Sequence, residues 1–141
     1  MAPPGPPWRS PRVRWLLVAA VALAILVGST IPLPGGQVGQ PGPLGLVGLD
    51  KWLHALAYAT FAAVLLDALA AGERSTPVLL GTVLVASLAF GYGVELIQAG
   101  LPYRDYDLFD LLADGVGAAV VLAAWWVATR LRRGRSRSSP G

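Results

Sequence analysis

The sequence contains no cysteine and few charged residues. None of its 141 residues is cysteine, which excludes a disulfide framework, a thiolate nucleophile, an iron–sulfur cluster and a zinc site with thiolate ligands. Charged residues make up 13% of the chain, about half of the roughly 25% that is typical of soluble domains. This low charge density argues against a water-soluble globule, a disordered chain, a coiled coil and a nucleic-acid-binding arm.

Hydrophobic residues form 55% of the chain and are concentrated in four runs. A helix needs about 20 apolar residues to cross the hydrocarbon core of a bilayer. We therefore predict an all-α integral membrane protein with four transmembrane helices, at residues 15–31, 51–71, 77–101 and 108–129. In this prediction the membrane domain covers residues 14–130. It lies between a disordered tail at residues 1–13 and a basic tail at residues 131–141.

The basic residues are distributed unevenly between the two sides of the predicted bundle. One side carries Arg9, Arg12, Arg14, Arg74, Arg130, Arg132, Arg133, Arg135 and Arg137, whereas the other carries only Lys51 and Arg104. Cytoplasmic segments are enriched in Lys and Arg, so both termini are predicted to be cytoplasmic in a cell-membrane protein. An alternative for the first run is a signal peptide, because arginines precede it and the small residues Gly28, Ser29 and Thr30 lie near its end.

Polar residues recur in the last three spans, at the end that this orientation makes the outer one. Ionisable groups in a membrane span are costly and usually face a bundle interior or a wet cavity. The spacing places them on one face of each helix. They are Lys51, His54 and Tyr58 in the second span, Glu95 and Gln98 in the third, and Asp110 and Asp114 in the fourth, with Arg104 in the preceding loop. We predict that they form a polar cluster at the outer end of helices 2–4.

Small residues recur at every fourth position in two of the spans. They are Ala55, Ala59 and Ala63 in the second span and Gly115, Ala119 and Ala123 in the fourth. Such stripes allow membrane helices to approach closely, so we expect the second and fourth spans to pack together. At the helix starts, Ser75, Asp50 and Asp107 stand where N-cap residues are expected.

Four short motifs occur in order: Asp50-Lys51-Trp52-Leu53-His54, Glu95-Leu96-Ile97-Gln98, Arg104 in a short loop, and Asp110 through Gly117. In this combination the chain resembles the VanZ-like family, the teicoplanin-resistance protein family of prokaryotic membrane proteins, over residues 14–130. The resemblance implies a small four-helix membrane protein, linked in the family's namesake to low-level glycopeptide resistance. The chain departs from the family pattern at Asp114, where asparagine is usual.

The polar cluster supplies the candidate site residues. His54, Glu95, Asp110 and Asp114 are the candidate catalytic residues, because a carboxylate base and a histidine are suited to proton transfer. Lys51, Tyr58, Gln98 and Arg104 are the candidate substrate-binding residues, and the two cations would hold an anionic headgroup. No metal or other cofactor is predicted, since one histidine and scattered acids are not a recognised ligand spacing. A divalent cation on His54, Glu95, Asp110 and Asp114 is the alternative.

The expected function is that of a VanZ-like factor that acts on the cell envelope at the outer leaflet, whether or not it is an enzyme. Its expected partners are membrane lipids and a lipid-linked envelope precursor, and no nucleic acid is expected. Two alternatives stay open. One is a non-catalytic assembly or binding protein, and the other is a small proton-coupled transporter.

Overall fold

The computed structural model describes residues 10–32, 40–104 and 106–137. Within them, four α-helices form the bundle: α1 (Pro11–Thr30), α2 (Leu49–Leu69), α3 (Thr76–Ala99) and α4 (Leu108–Arg137). All four are long enough and apolar enough to cross a membrane, so the predicted all-helical membrane architecture is confirmed. A short 3-10 helix, Pro43–Gly45, precedes α2, and an isolated bridge pairs Pro41 with Gly48.

Two helix boundaries differ by more than two residues from those predicted. Helix α1 begins at Pro11, inside the segment predicted to be a disordered tail, because the Ser10 side chain accepts a hydrogen bond from the Val13 amide and proline suits the first helical position. Helix α4 continues to Arg137, well past the predicted end at residue 129. Arginine and leucine are good helix formers, and this stretch contains no proline that would end the helix. The predicted tail residues 1–9 and 138–141 lie outside the described residues.

The predicted N-caps have mixed outcomes. Asp107 acts as predicted, since its Oδ1 accepts a hydrogen bond from the Phe109 amide at 2.8 Å. Asp50 does not, because Gly48 is the N-cap of α2 and the Asp50 carboxylate lies in the first turn beside Lys51. Ser75 stands at the N-cap position of α3, but its side chain makes no capping hydrogen bond.

The helices run alternately up and down, which brings specific residues to each end of the bundle. At one end, the Gln98 amide donates to the Ser29 carbonyl at 3.0 Å and the Tyr103 hydroxyl donates to the Thr30 carbonyl at 2.8 Å. At the other end, Arg14 Nε lies 3.4 Å from Asp67 Oδ2. We call these the His54 end and the Arg14 end, since His54 lies one turn from the start of α2.

Helix α2 packs most extensively against α4, as predicted, but not through the predicted stripe of α4, in which Ala119 and Ala123 are exposed. The closest approach involves Gly117 of α4. A Cβ atom there would overlap the backbone carbonyl of Ala55, so only glycine fits. The predicted stripe of α4 is therefore wrong in its residues, because the close contact with α2 is made by Gly117, and Gly115 faces Leu88 of α3 instead.

The outer surface of the bundle is apolar and part of its interior is polar. Large apolar side chains such as Leu16, Leu56, Val85, Phe109 and Val120 are between 61% and 68% exposed. In contrast, polar side chains that are at most 3% exposed include Ser87, Glu95, Gln98 and Asp114. This distribution is typical of a helix bundle that is surrounded by lipid.

Candidate functional site

Lys51 lies at the centre of a group of carboxylates at the His54 end. Its ammonium nitrogen is 2.8 Å from Asp50 Oδ2 and 2.6 Å from Asp110 Oδ1, and it also contacts Asp107 Oδ2. We call these four residues the Lys51 cluster. The hydrogen bond from Lys51 is the main reason why the pKa of Asp107, in the loop before α4, is lowered from its usual value. Because three acids already surround the ammonium, Lys51 serves to neutralise them and connects α2 to α4.

His54 connects this cluster to a deeper acid. Its Nδ1 atom lies 2.9 Å from Asp114 Oδ1, and Asp114 is 1% exposed. Its Nε2 atom lies 3.7 Å from Asp110 Oδ2, which is too long for a hydrogen bond. The Tyr58 ring lies one helical turn further along and is parallel to the imidazole, with the ring centroids 6.4 Å apart. The imidazole is therefore oriented by Asp114, while its other nitrogen faces a second carboxylate.

Glu95 contributes a buried carboxylate from α3. Its side chain is fully buried, and Oε2 accepts a hydrogen bond from the Asp107 backbone amide at 3.2 Å. Among the described residues, no group hydrogen-bonds to Oε1. We call His54, Glu95, Asp110 and Asp114 the His54 site. All four candidate catalytic residues thus lie together, on three helices.

The candidate binding residues have different surroundings. Gln98 is buried and its amide bonds to α1, which makes it a structural contact between helices. Arg104 is partly buried, and no described residue forms an ion pair with its guanidinium group. Tyr58 is 1% exposed, and its hydroxyl has no hydrogen-bond partner among the described residues. Of the predicted binding residues, Arg104 has the cationic group best suited to contact a ligand.

A cavity of about 680 Å³ opens beside the His54 site. It lies between α1, α2 and the α3–α4 loop, and polar side chains line one end of it: Asp50, His54, Arg104, Tyr106, Asp107 and Asp110. Further along the helices its walls are mainly apolar and include Val21, Ile25, Leu56 and Ala57. The cavity therefore combines a charged end with a hydrophobic channel.

Sequence reasoning missed two small buried residues of α3, one of which makes room for the site. Gly91 of α3 faces Asp114, and a Cβ atom at this position would press against Asp114 Oδ2. Ser87 lies one turn before Gly91 and is 1% exposed. The sequence did contain a signal for close helix packing, because Ser87 and Gly91 are small residues four positions apart. It could not be interpreted without knowing which face of α3 meets α4.

Two sets of side chains in the described part of the chain have the composition of a metal site. In each, one ligand atom per residue lies within 4.8 Å of the others: His54, Glu95 and Asp110 form one set, and Asp50, Asp107 and Asp110 form the other. The Lys51 ammonium already contacts all three acids of the second set. Only the first set, which lies within the His54 site, is therefore a candidate for holding a cation.

No family model matches the chain, and no curated protein or solved structure shows significant similarity to it. The function is therefore argued from the chemistry of the His54 site and its cavity.

Proposed function

We propose that this chain is a VanZ-like membrane protein that acts on the cell envelope at the outer leaflet, where its cavity binds a lipid with an anionic headgroup. The observation that carries the proposal is the cavity of about 680 Å³, with charged residues at one end and apolar walls along α1 and α2. Such a shape and polarity match an amphipathic molecule better than a small polar solute. The ligand class is a membrane lipid or a lipid-linked envelope precursor.

The outward orientation is supported by the distribution of arginine. Basic residues are concentrated at the Arg14 end, where Arg12, Arg14 and Arg74 lie and where the arginine-rich part of α4 ends. By the positive-inside rule this end is cytoplasmic, so the His54 end faces outward. A lipid in the outer leaflet would then have its headgroup at the level of His54.

Arg104 would bind the headgroup. A guanidinium group donates two parallel hydrogen bonds to a phosphate or carboxylate, and this one lines the charged end of the cavity. Lys51 has a supporting role instead, because its charge is neutralised by the acids around it. This division of roles replaces the sequence-based hypothesis that both cations bind the headgroup.

His54 would transfer a proton to or from the bound headgroup. Asp114 orients the imidazole through Nδ1, in the arrangement in which a buried acid positions a general base. His54 itself lines the cavity, so the imidazole is within reach of a molecule bound there. The proposal requires the binding of the lipid and leaves the subsequent reaction open.

A transporter is less well supported than a lipid-binding protein. A proton-coupled transporter would have its key acid near the middle of the membrane, whereas Glu95 and Asp114 lie within about two turns of the helix ends at the His54 end. A purely structural role for the acids would account for the buried contacts but not for the cavity beside them.

Retention of lipid by the purified protein tests the proposal. We expect the chain, extracted in a mild detergent, to keep a tightly bound anionic lipid that native mass spectrometry detects. Gly28 lines the cavity and has nothing within 4 Å of a Cβ placed on it, so Gly28→Phe should fill the cavity without disturbing the backbone. We expect this variant to lose most of the bound lipid.

Gly93→Phe is the matched control, because Gly93 also has open space around it but does not line the cavity. It should retain lipid as the wild type does. A third variant, Arg104→Gln, should reduce anionic lipid more than zwitterionic lipid. Equal retention by the wild type and Gly28→Phe would contradict the proposal, as would an Arg104→Gln profile identical to that of the wild type.

A further inference from the structure

The His54 site brings together potential metal ligands from three different helices. One ligand atom each from His54 of α2, Glu95 of α3 and Asp110 of α4 lies within 4.8 Å of the other two. Atoms bound to one metal ion at about 2.1 Å are separated by up to about 4.2 Å, so small side-chain rotations would complete the site. The spacing along the sequence could not indicate this, because the ligands come from separate segments.

The orientation of His54 is that of a metal ligand. In the tautomer that a metal ligand at Nε2 requires, Nδ1 carries the ring proton and donates it to Asp114 Oδ1, 2.9 Å away. The lone pair of Nε2 then faces Asp110 Oδ2 at 3.7 Å. The Nε2 lone pair and the Asp110 carboxylate are both electron donors, and their separation leaves room for a cation that binds to both. Metal-binding histidines almost always donate their second nitrogen to a carboxylate or carbonyl in this way.

Glu95 provides an independent observation. Its side chain is fully buried, and within the described part of the chain its Oε1 has no hydrogen-bond partner. A buried carboxylate oxygen without a partner is costly, and a bound cation would remove this cost. Oε2 already accepts from the Asp107 amide, which leaves Oε1 as the atom that is free to bind a metal ion.

The charge around the site also favours a cation. Lys51 neutralises acids near the surface and contacts only Asp110 among the acids of the His54 site. In the described residues no lysine or arginine forms an ion pair with Glu95 or Asp114. Negative charge in a region of low dielectric constant requires either protons or a metal ion.

We propose that His54 Nε2 and the carboxylates of Glu95 and Asp110 bind one divalent transition-metal ion, with Asp114 orienting the histidine. A set of one imidazole and two carboxylates suits Mn²⁺ or Zn²⁺, whereas Mg²⁺ and Ca²⁺ prefer oxygen ligands alone. Three protein ligands leave a coordination position open toward the cavity, which both His54 and Asp110 line. This inference goes beyond the proposed function, since a metal ion could bind whether or not the cavity holds a lipid.

Direct metal binding tests this inference. The chain would be purified in detergent with an affinity tag that lacks histidine, stripped with a chelator, and titrated with MnCl₂ and ZnCl₂ by calorimetry. We expect one ion per chain and weaker binding of MgCl₂ and CaCl₂. Glu95→Gln and His54→Ala should weaken binding by at least about 10-fold, and Asp114→Ala should weaken it about 10- to 100-fold, which is the usual effect of removing a group that orients a ligand.

Asp67→Asn is the matched control, because it removes a carboxylate at the Arg14 end and leaves the His54 site intact. It should bind the metal ion as the wild type does. Glu95→Gln keeps the size of the side chain and an acceptor for the Asp107 amide, and therefore tests the site even if His54→Ala does not fold. Absence of binding by the wild type, or equal affinities for Glu95→Gln and Asp67→Asn, would overturn the proposal. Neither result would change the loss of lipid expected for Gly28→Phe, so the metal proposal and the lipid proposal can fail independently of each other.

Discussion

Gly117→Ala is expected to lower the free energy of unfolding by about 3 kcal/mol, because the new methyl group would collide with the backbone of the neighbouring helix. A Cβ atom at position 117 overlaps the carbonyl oxygen, carbonyl carbon and Cα of Ala55. Backbone atoms cannot rotate away as a side chain can, so α2 and α4 would have to move apart. The measurement is equilibrium unfolding in mixed micelles, followed by far-ultraviolet circular dichroism.

The control for this prediction is Gly93→Ala in α3. A Cβ atom at position 93 meets nothing within 4 Å, so the substitution should be neutral or stabilise the helix by up to about 1 kcal/mol. The difference between the two variants isolates the close approach of α2 and α4 from the general effect of replacing glycine in a helix. Equal stabilities for the two variants would mean that the helices do not pack as described.

Lys51→Met is expected to destabilise the protein at neutral pH by about 2 to 3 kcal/mol. This substitution removes the ammonium group that three carboxylates share and leaves like charges close together. Breaking a buried ion pair usually costs about 3–5 kcal/mol, and the cluster is partly solvated, which reduces the effect. Lys51→Arg keeps the charge and should retain most of the stability, which the same unfolding assay would measure.

The defect of Lys51→Met should also depend on pH. In the wild type the hydrogen bond from Lys51 lowers the pKa of Asp107 below its usual value of 3.8, so the folded state favours the ionised acid. This contribution to stability is present above that usual value and is lost as the pH falls through the lowered pKa. The difference between the wild type and Lys51→Met should therefore shrink below about pH 4. An equal defect at pH 7 and at pH 3 would rule out a charge-based role for Lys51.

The four helices were predictable because their signal is local. Each is an apolar run long enough to cross a bilayer. The length and composition of such a run predict a helix without any knowledge of which residues it contacts. The exact ends were less predictable. Ser10 and Pro11 start α1 early through capping, and the arginine-rich segment after Thr129 continues α4. Helix capping and helix propensity set these two ends, whereas the predicted spans were defined by hydrophobicity alone.

The candidate site was only partly predictable. Helical spacing placed His54, Glu95 and Asp114 on polar faces, and the structure brings these residues together. The roles of Lys51 and Gln98 could not be predicted, because they depend on how each helix is rotated. One is surrounded by acids and the other bonds to the end of α1. The cavity is a property of the packing of α1 against α2 and has no signal in the sequence.

The side of the membrane that the His54 end faces, which we propose to be the outer one, can be measured directly in intact cells. The chain has no native cysteine, so single cysteines report only their own positions. Tyr103 is 49% exposed in the loop at the His54 end, and Glu73 is exposed at the Arg14 end. A membrane-impermeant maleimide added from outside should label Tyr103→Cys at once, and Glu73→Cys only after the membrane is permeabilised. Labelling of Glu73→Cys alone in intact cells would contradict the proposal that the His54 site serves the outer leaflet.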